Sequence, residues 1–310
     1  MGLAFLFPGQ GSQQVGMGHE LAEAFPEARE VFQEADDHLG LGLSDLMWNG
    51  PEEELTRTNN AQPALLVHSV AVHRVLAPHL GGARFAAGHS LGEFSAHVAA
   101  GTLTFQDAVA AVRRRGELMY ETGVSRPGTM AAVLGLDDDV VESVCQGVST
   151  GTCVPANFNA PGQVVISGDA AGVEAGMQRA REAGARKVIP LNVSGAFHSP
   201  LMQPAEDGLR AHLESIGFQV PKLRVYSNVT AKPVESGEVA RDLLVHQLTA
   251  PVRWSTSIRH MVEAGAVEFV ELGAGAVLCG LNRRNARDLP CRPVGTPAEV
   301  EAFINERSGR

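Results

Sequence analysis

The chain has 310 residues, of which 44% are hydrophobic and 19% charged, a globular composition that excludes disorder of the whole chain. The net charge of −10 makes nucleic acid a poor partner. No apolar run is long enough to span a membrane, and the first residues lack the basic region and cleavage site of a signal peptide. The cysteines have no C-x-x-C spacing, which argues against a disulfide framework and a zinc site and favours a cytoplasmic protein: Cys145, Cys153, Cys279 and Cys291.

The first part of the chain predicts a buried strand, a glycine-rich loop and a series of helices. The strand covers 3–7, and the loop at 8–13 lacks phosphate-binding spacing but follows the end of a strand, where α/β folds place ligands. We interpret His68 and His73 as structural, because nothing at metal-binding spacing accompanies them. Apolar periodicity predicts helices at 17–39, 51–57 and 63–76.

A G-x-S-x-G pattern at Gly88, Ser90 and Gly92 lies between a short buried strand at 84–87 and a helix at 91–100. A strand that turns sharply into a helix holds the serine backbone in a strained conformation and pushes its Oγ outward. The pattern also arises by chance in a chain with 34 glycines, but the flanking strand and helix favour a nucleophile.

The elements after this turn have recognisable ends. Gly101 is placed to end the serine's helix in a left-handed conformation, and Thr104 to cap the next helix, at 104–122, with Asp107 three residues on. Arg115 lies near the middle of that helix.

From Gly128 the pattern changes to β-α-β-β-α-β, the order of a ferredoxin-like unit. We place this subdomain at 126–193, inserted within a larger α/β unit. Its predicted elements are 129–136, 137–146, 152–157, 163–167, 170–183 and 187–190.

The remainder of the chain predicts three further helices and two strands. They lie at 204–216 (helix), 223–227 (strand), from Gly237 (helix), 267–272 (strand) and from Val277 (the last helix). We expect residues 305–310 to be frayed.

A serine nucleophile needs a general base within hydrogen-bond reach. His89 is a poor candidate, because consecutive side chains diverge at a sharp turn. His198, in a loop after a predicted strand, is a better one. No acid that would orient it is identifiable, and a backbone carbonyl or an amide would serve as well.

Five segments together resemble malonyl-CoA:acyl carrier protein transacylases, a family that includes acyltransferase components of polyketide synthases. The resemblance covers nearly the whole chain. It implies an α/β-hydrolase-like catalytic core with a parallel sheet, at 1–125 and 194–310, beside the ferredoxin-like subdomain. The segments are 7–13, 58–64, 88–93, 195–199, and 247–248 followed by 251–254.

The resemblance implies a ping-pong transfer of malonyl from malonyl-CoA to the phosphopantetheine thiol of an acyl carrier protein. Ser90 would carry the malonyl group, and His198 would act as base, oriented by the main-chain carbonyl of Gln247. The backbone N–H groups of Gln10 and Leu91 would form the oxyanion hole; for Leu91 the helix start already points to this. Further candidates for the lining of the site are Gln62, His89, Asn159 and Phe197.

Arg115 matches the family's arginine for the malonyl carboxylate, which a guanidinium grips bidentately. Arg113 and Arg114 leave some ambiguity, but helical spacing directs at most one of the three toward the serine. The bulky Phe197 favours malonyl over methylmalonyl. Other extender units, such as methylmalonyl or ethylmalonyl, stay open, as do a serine esterase or thioesterase and a non-catalytic docking module.

Carrier proteins are usually acidic, and since this chain is also acidic, docking requires a local basic patch. We predict that patch at Arg186, Lys187, Arg283 and Arg284, against the simpler interpretation of solvated surface charge. The turn at 273–276 reads Gly-Ala-Gly-Ala where the family commonly has Gly-Pro-Gly-Lys. The resemblance implies a monomer without metal or cofactor, and leaves open whether the pathway makes fatty acids or polyketides.

Overall fold

The computed structural model describes residues 2–79, 81 and 83–308, and its centre is a five-stranded parallel sheet. Residues 309 and 310, part of the end predicted to be frayed, lie outside the described residues. In spatial order the strands are β7 (Arg224–Tyr226), β2 (Ala83–Gly88), β1 (Gly2–Phe7), β8 (Ala266–Leu272) and β9 (Cys291–Val294).

The central strand β1 is buried along its whole length. Because side chains alternate along a strand, Phe5 and Phe7 pack into the core on one face of the sheet while Ala4 and Leu6 pack into the core on the other. Phe7 pairs with Gly88 at the ends of β1 and β2. The loop after β1 therefore lies beside the turn that carries Ser90.

Fourteen α-helices surround the sheets within the described part of the chain. They are α1 (His19–Ala24), α2 (Pro26–Leu39), α3 (Leu43–Asn49), α4 (Glu52–Thr56), α5 (Thr58–Leu76), α6 (Gly92–Ala99), α7 (Phe105–Ser125), α8 (Asp138–Gln146), α9 (Ala170–Glu182), α10 (Gln203–Leu213), α11 (Gly237–His246), α12 (Trp254–Glu263), α13 (Val277–Asn285) and α14 (Pro297–Ser308). None of the helices in these ranges is long and apolar enough to cross a membrane.

Two predicted helices have different bounds in the structure. The helix predicted at 17–39 is divided at Phe25, whose backbone is extended, because Pro26 starts a new helix. Helix α5 begins before Pro63 rather than at it. Proline cannot bond the carbonyl four residues earlier, and that carbonyl, of Asn59, accepts instead from Arg113 Nη1 at 3.1 Å.

The inserted segment forms a second sheet, which is antiparallel and has the order β4-β5-β3-β6. With α8 and α9 it has the β-α-β-β-α-β order predicted for a ferredoxin-like unit. The domain boundaries at 126 and 193 stay a prediction. The strands are β3 (Thr129–Leu134), β4 (Cys153–Ala160), β5 (Gln163–Gly168) and β6 (Lys187–Pro190).

The C-terminal part differs from the prediction in four ways, the first being an additional helix, α12, before β8. The helix from Val277 is not the last, since β9 and α14 follow it. Residues 305–308 belong to α14 rather than to a frayed end, because Val300 and Phe303 anchor that helix in the core. Cys279 and Cys291 form one disulfide, between α13 and β9, which was not expected of a chain predicted to lack a disulfide framework.

Candidate active site

Ser90 lies at the sharp turn between β2 and α6 with a left-handed backbone, φ 51°. The turn requires glycine on both sides. A Cβ on Gly88 would lie 1.9 Å from the backbone of Gly92, and a Cβ on Gly92 would lie 2.2 Å from the carbonyl oxygen of Phe7. The strain predicted from the G-x-S-x-G pattern is therefore present, and it leaves Ser90 half-buried with its Oγ on a cleft.

His198 is the histidine that contacts the serine, with Nε2 2.9 Å from Ser90 Oγ. Its Nδ1 lies 2.9 Å from the main-chain oxygen of Gln247. Nδ1 therefore donates to this carbonyl, and Nε2 is left to accept the serine proton. Burial, and secondly the positive charge of Arg115, lower the pKa of His198 to about 3, so the imidazole is neutral.

Arg115 is buried at the floor of the same cleft. It donates from Nη1 to Gln62 Oε1 at 2.6 Å, and from Nη2 to Ser90 Oγ at 3.0 Å and to Gln247 Oε1 at 2.9 Å. All three partners are neutral. Burial lowers the pKa of Arg115 to about 10, which still leaves it charged at neutral pH.

The neighbouring arginines face elsewhere. Arg113 pairs with Glu117, and Arg114 pairs with Glu117 and Glu121 on the outer side of α7. Of the three consecutive arginines, only Arg115 is placed beside Ser90.

Two backbone donors lie at the serine. Within residues 2–79, 81 and 83–308, the N–H groups of Leu91 and Gln10 have no hydrogen-bond acceptor. Both residues line the cleft, and the Gln10 side chain is held by Thr58 Oγ1 at 2.9 Å. Two unpaired N–H groups beside a nucleophile are the arrangement of an oxyanion hole.

The cleft has a volume of about 220 Å³ and lies between the two sheets. Among the predicted lining residues, His89 and Phe197 reach it directly. Gln62 and Asn159 lie behind it, where Gln62 holds Arg115 and Asn159 Oδ1 accepts from His89 Nε2 at 2.8 Å. Lining residues absent from the sequence-based set include Met119, Met130, Asn157 and Leu191.

Asn228 and Glu93, both fully buried beneath the serine, were also absent from that set. Asn228 follows the short strand β7, and Glu93 lies in the motif at 88–93. The position of Asn228 just past the carboxyl end of a parallel strand was an available signal, since functional side chains gather at that edge.

Two residues of the predicted basic patch lie near each other, Arg284 on α13 and Arg186 just before β6. Arg186, Lys187, Arg283 and Arg284 are all exposed. Arg284 bonds the carbonyl of Pro161, and a Cβ on Gly162 would lie 3.3 Å from Arg284 Nη2 and 3.7 Å from Gly135. A Cβ on Gly135 would in turn lie 2.8 Å from Arg186 Cβ. Arg284 of α13 and Arg186 of the subdomain therefore both lie next to the glycine turns of the subdomain, near each other.

A neutral Ser–His pair with two free N–H donors has the groups that acyl transfer requires, and a buried arginine beside the serine is suited to an acyl group that ends in a carboxylate. The model of the acyl transferase domain family matches residues 4–299, so the chain belongs to this family. That membership agrees with the family resemblance of the sequence.

Two relatives match this chain over nearly their whole length. The malonyl CoA-acyl carrier protein transacylase of Bacillus subtilis strain 168 is 46% identical over 304 residues, covering 97% of this chain and 96% of the relative. That of Escherichia coli K12 is 44% identical over 303 residues, covering 97% and 98%.

Solved structures agree with these relatives. The acyl-carrier-protein-S-malonyltransferase of Bartonella henselae has a TM-score of 0.94 at 43% identity, covering 99% of this chain and 100% of that one. A malonyl-transacylase in complex with its type II PKS acyl-carrier protein has a TM-score of 0.94 at 42% identity, with the same coverage.

Proposed function

We propose that this chain is an acyl carrier protein S-malonyltransferase, which moves malonyl from malonyl-CoA to the phosphopantetheine thiol of an acyl carrier protein through malonyl-Ser90. The observation that carries the proposal is Arg115 Nη2 at 3.0 Å from Ser90 Oγ. A fixed positive charge at the nucleophile selects an acyl group with its own carboxylate. The names of the relatives support the same reaction.

In the first half-reaction Ser90 Oγ attacks the thioester carbonyl while His198 Nε2 takes the hydroxyl proton. The negative charge that develops on the carbonyl oxygen is stabilised by the N–H groups of Leu91 and Gln10. Collapse of the tetrahedral intermediate breaks the C–S bond. His198 returns its proton to the departing CoA sulfur, which leaves malonyl-Ser90.

The second half-reaction reverses these roles. The carrier thiol gives its proton to His198 Nε2 and attacks the ester carbonyl, and the C–O bond to Ser90 breaks with return of the proton to Oγ. Every proton is carried by His198, and the Gln247 carbonyl keeps its tautomer in place. The reaction so written needs no metal or cofactor, and a monomer supplies every group.

Arg115 selects the substrate because its present partners are neutral amides and a hydroxyl. A malonyl carboxylate forms stronger, charge-assisted bonds with the guanidinium, whereas an acetyl group leaves it unmatched. Phe197, buried at the cleft, favours malonyl over extender units with a branch at C2.

The location of the cleft also fits the proposed division of the chain. Gln10, Ser90 and Arg115 come from the core at 1–125 and 194–310, while Met130 and Asn157 come from the subdomain at 126–193. We propose these as two domains with the cleft between them. The cytoplasm, which supplies CoA thioesters, is the proposed location.

The proposal is tested by incubating the protein with malonyl-CoA and a carrier protein in its holo form, with the apo form as the matched control. Malonyl should appear on the holo carrier alone, because only that form has the thiol. Release of free malonate at the rate of CoA release would instead establish a hydrolase.

The lowered pKa of His198 predicts the acid limb of the acylation reaction. The apparent kcat/KM with malonyl-CoA reports groups of the free enzyme. For a histidine with the ordinary pKa of 6.5, the neutral fraction would fall more than about tenfold by about pH 5. His198, with a pKa of about 3, stays neutral at that pH. We expect the rate of malonyl-Ser90 formation to stay nearly constant from neutral pH down to about pH 5. A fall of tenfold, with the fold intact by circular dichroism, would contradict the neutral buried base.

The basic patch predicts a charge-dependent step with the carrier protein. Arg284→Glu and Arg186→Glu should each raise the KM for the carrier by about fivefold or more, because like charges would face an acidic partner. The KM for malonyl-CoA should stay unchanged. Lys232→Glu, an exposed charge reversal beyond the opposite edge strand β7, is the control. An unchanged carrier KM in both arginine variants would exclude the patch.

A further inference from the structure

The backbone of Ser90 is held from both sides by buried side-chain amides. Asn228 Oδ1 accepts from Ser90 N–H at 2.7 Å, and Gln247 Nε2 donates to the Ser90 carbonyl at 3.1 Å. Asn228 Nδ2 also donates to the carbonyl of Gly88 at 2.7 Å. Asn228 thus bridges the two peptide groups on either side of His89, and together Asn228 and Gln247 bond the two peptide groups on either side of Ser90.

One carboxylate connects these two amides. Glu93 Oε2 accepts from Gln247 Nε2 at 2.6 Å and from the backbone N–H of Asn228 at 3.1 Å. All three side chains are buried without exposed surface. Gln247 also bonds Arg115 through Oε1 and His198 through its main-chain carbonyl. Glu93 therefore hydrogen-bonds to both residues that hold the nucleophile, and one of them also holds the base and the arginine.

Burying a carboxylate lowers the stability of the fold unless hydrogen bonds or opposite charges compensate for its lost hydration. Burial raises the pKa of Glu93 to about 7, against hydrogen bonds from Asn228 and Gln247 that lower it. The charge of Arg115 and the Ser227 hydroxyl also lower the pKa of Glu93, but within the described residues no positively charged side chain hydrogen-bonds to it directly. Its bonds go to the two residues that hold Ser90.

We infer that Asn228 and Glu93 are positioning residues for the acyl transfer: Asn228 fixes the strained Ser90 turn, and Glu93 fixes Asn228 and Gln247. This inference rests on the proposed function for its substrate. Neither residue touches the acyl group. Loss of either one lets Ser90 Oγ move away from His198 Nε2 and from the oxyanion donors, and a misplacement of about 1 Å costs on the order of a hundredfold in rate.

The two residues predict different patterns in kinetics. Asn228→Ala should lower the maximal rate of malonyl-Ser90 formation about 30- to 100-fold with little change in the half-saturating malonyl-CoA concentration, because Asn228 does not contact Arg115. Glu93→Ala should lower the rate by a similar factor. Glu93→Gln should keep it within about threefold, because an amide oxygen in the place of Oε2 accepts both hydrogen bonds.

The experiment combines rapid-quench acylation by malonyl-CoA with labelling of Ser90 by phenylmethylsulfonyl fluoride, read by intact mass. The sulfonyl fluoride needs no malonyl recognition, so its rate reports serine placement even if malonyl transfer fails in the wild-type protein. Asn282→Ala is the matched control, since Asn282 is an equally buried asparagine on α13 whose side-chain amide has no partner among the described residues. Thermal unfolding is measured for each variant.

The inference predicts slow labelling and slow acylation in Asn228→Ala and Glu93→Ala, near-normal rates in Glu93→Gln, and normal rates in Asn282→Ala. If Asn228→Ala does not fold, the two Glu93 variants carry the test. Labelling of folded Asn228→Ala at the wild-type rate, or equal slowing of Glu93→Gln and Glu93→Ala, would overturn the inference.

Discussion

Ser90→Ala should abolish the malonyl adduct and lower malonyl transfer by about 10⁴-fold or more, because no other group in the cleft replaces the nucleophile. The left-handed backbone at φ 51° is compatible with alanine only with strain, which the bonds from Asn228 and Gln247 already impose on serine. The change thus removes Oγ and leaves its surroundings in place. Intact mass after brief incubation with malonyl-CoA reads out the adduct.

The matched control for this variant is Ser95→Ala. Ser95 is a buried serine of α6 whose Oγ has no partner among the described residues, and it lies five positions after Ser90. It should keep the adduct and the rate. An adduct that persists in Ser90→Ala would place the acyl group on another residue.

Arg115→Ala should reverse the preference for malonyl over acetyl thioesters. The kcat/KM for malonyl-CoA should fall by about 10²- to 10⁴-fold, since the substrate carboxylate would be buried without a cation. The kcat/KM for acetyl-CoA should fall little or rise, because an acetyl group would no longer leave a buried guanidinium without a charged partner. Rates of adduct formation with the two CoA esters, measured side by side, give the selectivity ratio.

Two variants sharpen this prediction. Arg115→Lys keeps the charge but not the two-pronged donor set, so it should recover only part of the malonyl rate. Arg114→Ala, which removes a surface pair with Glu117 and Glu121 on the same helix, should leave the selectivity unchanged. A malonyl-to-acetyl ratio that is equal in wild type and Arg115→Ala would exclude Arg115 as the selecting residue.

The turn around Ser90 was predictable because its signal is local. The flanking strand, the helix and the two glycines that close contacts require are all within a few residues of the serine. The antiparallel subdomain was predictable for a similar reason, since its β-α-β-β-α-β order is contiguous in the chain. The family resemblance added the identity of the arginine and of the carbonyl that orients His198.

Features that depend on distant segments were missed. Asn228 is 138 positions from Ser90, so its place after a short strand marks it as a candidate without showing which residue it contacts. The disulfide between Cys279 and Cys291 joins two elements of which one, β9, was not predicted. Pro63 lies inside α5, where the carbonyl that it leaves unbonded accepts a hydrogen bond from Arg113 on another helix. In each case the sequence shows the residue and the fold supplies its partner.

In the proposed reaction malonyl passes through Ser90 to a carrier thiol. The most direct measurement is to form the adduct with a single equivalent of malonyl-CoA, remove the CoA, and add holo carrier protein while following both masses over time. We expect malonyl to leave the enzyme and appear on the carrier in one step, faster than in buffer or with apo carrier. An adduct that decays to free malonate at the same rate with and without holo carrier would contradict the claim.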